Sequence, residues 1–288
     1  MNTNVDRLAM ISVVGEVSHP KVGGSVYRVG QDGAVHVVPG TGGITYNVRV
    51  GSPAGGWKGD HLEPGASTRS SDSGDNGAYN TLACVGNPAK VVSGDAKGGE
   101  GYVVGTHGGI EHVMVEFPDA VLEELLPGDK ILVKAVGQGL ELTDFPGVAV
   151  RSLDPRLLHC WGIEPDGDTL AVPVTHTVPA KVMGSGLGAN TAVRGDYDIQ
   201  MFSRDVVDEY GLEDLKLGDF VAILDADHTY GRIYYTGAVS VGVIVHSDSY
   251  VAGHGPGVAT VLTSREGKIR PVIDADANVA TLYGRLDA

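Results

Sequence analysis

Apolar positions in this chain gather in short runs of about four to eight residues rather than recurring at helical spacing. Valine and isoleucine fill most of them, and Gly, Pro, Asp or Asn closes nearly every one. That pattern predicts many short strands joined by tight turns. Strands are expected over 9–17, 36–38, 45–50, 90–92, 102–104, 112–117, 130–136, 147–152 and 169–174. Others are expected over 180–183, 196–201, 220–225, 233–245, 258–263 and 269–273. Short helices are expected only over 119–126, 155–161 and 203–210. The polar stretch S-T-R-S-S-D-S-G-D-N-G from Ser67 to Gly77 reads as a loop long enough to move or to cover a site.

One internal echo bears on the architecture. L-E-E-L-L-P-G-D-K-I-L-V-K-A from Leu122 and L-E-D-L-K-L-G-D-F-V-A-I-L-D from Leu212 each read as a short helix, a Gly-Asp turn and a buried strand. A duplicated unit and convergence on a common turn both account for it. The fold class expected is mainly β (a β-rich α+β fold), in two lobes with barrel-like or sandwich sheets and a few short helices. The lobes are expected at residues 1–150 and 151–288.

Composition narrows the function. Glycine accounts for 43 of 288 residues with no G-X-Y period, which excludes collagen and fits a turn-rich β protein. The formal charge of −15 and the lack of a Lys/Arg cluster argue against a nucleic-acid partner. No apolar run approaches the roughly 20 residues needed to span a bilayer, so no membrane association is expected. The N-terminus shows no basic region followed by an apolar one, and the expectation is a cytoplasmic, soluble protein. Cys84 and Cys160 are expected to be reduced, and open strand edges make a homo-oligomer plausible.

Candidate chemistry lies in histidines and carboxylates among glycines. On an extended strand, residues i and i+2 share a face. His61 with Glu63, Asp225 with Asp227, and His246 with Asp248 have that spacing. Imidazole plus carboxylate suits a divalent metal such as Zn or Mn, or a general base with its orienting acid. Turn residues and surface ion pairs are the plainer account of each pair, and no H-E-x-x-H occurs. His107 and His112 flank Gly108 and Gly109 across an expected hairpin, and Lys97 sits in a glycine-rich turn. Glycine loops at 39–45, 184–190 and 253–257 offer backbone N–H groups to an anion. The second has G-x-G without a following helix, which argues against a dinucleotide fold. His254, between Gly253 and Gly255, can approach a small ligand closely and carry a proton. The pair Asn80-Thr81 has the form of a self-processing site that would free the Thr81 amine.

Three resemblances add to this reading. S-G-D-A-K-G-G-E-G-Y-V-V from Ser93 resembles the KOW motif, a strand-turn-strand of small barrels. P-G-T-G-G-I-T-Y-N from Pro39, G-D-H-L-E-P-G from Gly59, H-G-G-I-E-H-V from His107 and G-H-G-P-G-V from Gly253 resemble an uncharacterised prokaryotic family, domain of unknown function 4438. S-G-D-A-K-G from Ser93 and G-D-K-I-L-V-K-A-V-G-Q-G-L from Gly128 carry the same likeness, which implies membership and no established activity. The acidic-His-Gly loop before a long strand, within 225–245, resembles acetamidase/formamidase enzymes.

The function expected is a metal-dependent hydrolase or related enzyme acting on a small polar amide or carboxylate. Its metal ligands are expected to be His61, Glu63, His246 and Asp248, with His254 as acid/base. The alternatives are a non-catalytic small-molecule binding protein, a self-processing N-terminal-nucleophile hydrolase cleaved before Thr81, and a structural assembly protein.

Overall fold

The computed structural model of the protein describes residues 1–22 and 25–286. Its first half contains β1 (Ile11–Val17), β2 (Arg28–Val29), β3 (Val35–His36), β4 (Ile44–Thr45) and β5 (Gly65–Arg69). After helix α1 (Ser73–Leu82) come β6 (Pro88–Val91), β7 (Glu100–His107), β8 (His112–Glu116), helix α2 (Asp119–Leu122) and β9 (Lys130–Ala135). The order β1-β9-β6-β7-β8-β5 closes through β1–β5 pairing into a barrel, with β4 beside β5. Strand alternation fills it: Ile131 and Val133 of β9 point inward with Val17, Val91, Val103 and Val115.

The second half contains β10 (Ala149–Val150), α3 (Pro155–Cys160), β11 (Glu164–Asp166), β12 (Thr169–Val174), β13 (His176–Pro179) and α4 (Arg204–Tyr210). It ends with β14 (Phe220–Asp227), β15 (Ile233–His246), β16 (Gly257–Ser264), β17 (Ile269–Ile273) and α5 (Val279–Gly284). Its main sheet runs β10-β16-β15-β14-β13, and β11-β12-β17 forms a smaller one. The apolar runs of β15 and β16 are nearly continuous because both faces are covered. Val241, Val243 and Val245 face one core, while Ile244 and Val258 face another. Val104 and Met114 of the barrel join the first of those cores, which seats β7 against β15 and β16.

The architecture is therefore mainly β with short helices, as expected. β6, β7 and β8 are antiparallel neighbours with no helix between Gly94 and Phe117, and Gly94, Gly98 and Gly109 take φ of 69°, 101° and 76°. The echoed units also share a local device. Asp129 accepts the Leu126 N–H at 2.9 Å and Asp219 accepts the Lys216 N–H at 2.9 Å, ahead of β9 and β14. Cys84 and Cys160 are free thiols.

Several local expectations are corrected. Residues 67–77 are not one loop: Ser67 to Arg69 complete β5, and Asp72 caps α1 by accepting from the Gly74 and Asp75 N–H groups. α1 escaped detection because Tyr79 is its one buried aromatic and polar Asn76 and Asn80 hold its inner face. Residues 180–183 start with a 3-10 turn, Ala180–Val182, following Pro179. Residues 196–201 form only isolated bridges, Met183 with Ile199 and Asp198 with Gly257. Among the described residues, no helix is long and apolar enough to cross a membrane.

The β14–β15 turn carries a group with a pH signature. His228 is fully buried, with Nδ1 2.8 Å from Thr260 Oγ1 and no partner for Nε2 among the described residues. Burial, aided by the charge of Arg232, lowers its pKa to about 3. The unfolded chain takes up this proton near pH 6.5 and the folded chain does not. Stability should therefore fall as pH drops from about 6.5 toward 3, by about 1.4 kcal/mol per pH unit from this group. Urea midpoints at pH 7, 6 and 5 should drop less steeply for His228→Asn than for the parent. Equal slopes would assign the acid sensitivity elsewhere.

Candidate metal centre

Long-range backbone pairing builds the site. The loop after Gly59 is stitched to the end of β15: Leu62 N–H donates to Ser247 Oγ at 2.9 Å, and Ser247 N–H donates to the Leu62 carbonyl at 2.9 Å. His61 N–H donates to the Asp248 carbonyl at 3.0 Å. This brings His61 beside His246, their ring centroids 5.0 Å apart. The segment around Asp196 is held against β16 by paired Tyr197–Val258 backbone bonds of 3.0 and 2.9 Å. His107 ends β7, and its ring lies 4.1 Å from that of His246.

Two donor groups result. His61, Asp198 and His254 form one; His107, Asp196 and His246 form the other; within each, the ligand atoms lie within 4.8 Å of one another. In the first, His61 Nε2 is 3.0 Å from His254 Nδ1, and Asp198 Oδ2 is 3.2 Å from His254 Nδ1 and 3.8 Å from His61 Nε2. In the second, His246 Nε2 is 2.7 Å from Asp196 Oδ2. Asp198 stands between the groups, its Oδ1 3.8 Å from His246 Nε2. A Cβ on Gly257 would fall 2.1 Å from Asp196 Oδ2 and 2.2 Å from His246 Nε2, so glycine is required there.

The outer nitrogens of three rings are held. His246 Nδ1–H donates to the Ser247 carbonyl at 2.8 Å, His107 Nδ1 meets Glu63 Oε1 at 2.6 Å, and His61 Nδ1 lies 3.4 Å from Asp60 Oδ2. Such bonds fix the tautomer and turn the other nitrogen inward. Burial opposes charge on His61, but hydrogen bonds and charge from Asp198 and Asp60 outweigh it and raise its pKa to about 9. Burial likewise works against the charge of Asp196, yet His246 and His107 hold its carboxyl well below the usual range.

The structure brings together His61, His246 and His254 from the expected set and leaves out Glu63 and Asp248. His61 has a φ of 56°, so residues 61 and 63 do not share a strand face. Glu63 lies behind the centre, accepting from Gly42 N–H at 2.8 Å and Ser67 Oγ at 2.5 Å, with His112 Nδ1 at 2.9 Å. One N–H of the glycine loop at 39–45, that of Gly42, thus goes to the protein's own carboxylate. Asp248 turns away to accept the Gly56 N–H at 3.0 Å, because β15 ends at His246 and strand alternation does not extend to residue 248. His254 sits within a donor group itself.

Asp225 and Asp227 bond Gly237 and Thr229, apart from the centre. Lys97 is exposed on its turn. Asn80 and Thr81 lie inside α1, where Asn80 is buried and bonded to Asn76 and the Glu111 carbonyl. Sequence reasoning missed Asp196 and Asp198, although D-Y-D carries the same i, i+2 spacing. It left His107 as an unassigned hairpin residue. A cavity of about 360 Å³ opens onto His61, His107, Asp196, Asp198 and His254, with Arg194 and Arg232 also in its lining.

Residues 27–159 match the model of the domain of unknown function DUF4438, N-terminal, and residues 160–283 match that of its C-terminal domain. The chain belongs to this family. It is also similar, at 49% identity and a TM-score of 0.93, to a solved structure entitled "Crystal structure of TM1086", over 97% of this chain and 98% of that one. No curated protein matches the chain.

Proposed function

We propose that this protein is a metal-dependent hydrolase acting on a small polar amide or carboxylate. A pair of divalent ions, Zn or Mn, would be held by His61, Asp198 and His254 on one side and His107, Asp196 and His246 on the other. The observation that carries the reading is the first donor triangle, with edges of 3.0, 3.2 and 3.8 Å. Donors about 2.1 Å from one tetrahedral ion stand roughly 3.4 Å apart, so these atoms need little movement to close on it. The held outer nitrogens support the same reading, since a metal-binding imidazole is normally oriented in this way.

A divalent ion supplies Lewis acidity toward a carbonyl oxygen and lowers the pKa of bound water. The carboxylates of Asp196 and Asp198 offset its charge. His254 has the most exposed ring of the first group, with 35% of its side chain accessible, so this ligand faces the solvent side of the group. As a ligand it would leave the acid/base role expected of it from sequence to metal-bound water.

Elemental analysis of protein reconstituted with Zn or Mn and then desalted should find about two equivalents of metal. Turnover of a panel of small amides and carboxylic esters should depend on that metal and disappear with chelator. Retention of less than one equivalent would remove the basis of this reading.

A further inference from the structure

The lining of the cavity beside the donor groups also carries two arginines, neither of which is a metal-ligand type. Arg232 is only 3% exposed and lines the cavity. Its backbone N–H donates to the Ala189 carbonyl at 3.0 Å, its carbonyl accepts the Gly188 N–H at 2.9 Å, and its Nη2 donates to the Arg194 carbonyl at 3.1 Å. The Nη2 bond holds the guanidinium, yet its Nε is buried without a partner. Among the described residues, no carboxylate comes within 4 Å of either guanidinium, although acidic residues outnumber basic ones by 36 to 21. Asp196 and Asp198 attract the Arg232 charge without touching it, so its buried Nε still lacks a hydrogen-bond partner, which is costly unless a ligand completes it. An oriented guanidinium fork suits the two oxygens of a carboxylate or phosphate.

We infer that Arg232 and Arg194 form an oxyanion-binding subsite that anchors a carboxylate or phosphate group of the substrate beside the metal centre. The identification of the ligand as a substrate rests on the hydrolase reading; the anion site itself does not. Arg232 supplies a held fork, and half-buried Arg194, in the lining of the same cavity, supplies a second charge. The substrate would then be an anionic small molecule with its hydrolysable bond a short distance from the anchored group.

Calorimetric titration with inorganic phosphate and with acetate tests this, using parent protein, Arg194→Gln and Arg232→Lys, each loaded with metal and each metal-free. Metal stoichiometry and thermal midpoints are measured alongside. At least one anion should bind the parent, and each variant should bind it about tenfold more weakly or worse while keeping its metal. Preference for phosphate would indicate a phosphate group, and preference for acetate a carboxylate. If no metal is retained, arginine-dependent anion binding by the metal-free protein still sustains the subsite while the hydrolase reading fails. Parent-like affinity in both variants, or no binding of either anion to the parent, overturns the inference.

Discussion

Replacing Asp198 with alanine should lower the metal affinity of both donor groups together, by more than about 100-fold. Loss even of an outer residue that orients a ligand typically costs 10–100-fold, and Asp198 belongs to the inner set. Its Oδ2 faces His254 and His61 at 3.2 and 3.8 Å, while its Oδ1 faces His246 at 3.8 Å. Folding should survive, because the paired Tyr197–Val258 backbone bonds hold the segment without this side chain. Competition titration against a chromogenic chelator would measure the loss. Retention of one tight equivalent would show that the two groups act separately and that Asp198 serves only the one containing His61 and His254.

Substituting Glu63 should produce the largest effect on the protein itself. Its carboxylate is buried and gathers four donors: Gly42 N–H, Ser67 Oγ, His107 and His112. Burial works against its charge, but His112 and His107 hold its carboxyl well below the usual range. Because the folded value lies below the unfolded one, this group's contribution is present above about pH 4.3 and is lost as pH falls through the folded value. Glu63→Ala strands its buried partners and should cost about 3–5 kcal/mol in urea unfolding at pH 7. Glu63→Gln keeps the shape and sets an amide donor against imidazole donors. It should weaken metal binding by the His107 group about 10–100-fold while sparing the His61 group. Parent-like binding by Glu63→Gln would reduce Glu63 to a packing role.

Much of the fold was legible because strand formation follows local rules. Thr169–Val174 and Ile269–Ile273 match their sequence expectation end for end, since their Val- and Ile-rich runs are bounded by turn residues. The turn between β7 and β8 was also legible, with Gly108 and Gly109 carrying the chain round and His107 directly paired with His112. α1 was hidden because its stability comes from an Asp72 cap and buried asparagines, which leave no apolar stripe to read.

The amino-acid sequence by itself determined a glycine-punctuated β protein and concentrated histidine and carboxylate in its turns. It named His61, His246 and His254 because each stands among glycines or carboxylates. Only the tertiary structure decided which carboxylates join them. Strand alternation is a local rule, and it fails where φ turns positive at His61 or where β15 ends at His246. Asp196 and Asp198 reach the centre because backbone bonds fasten Tyr197 to Val258. His61 reaches it because Leu62 bonds to Ser247, 185 positions away. Contacts at that separation arise from how the barrel packs on the second sheet, and no spacing along the chain encodes them.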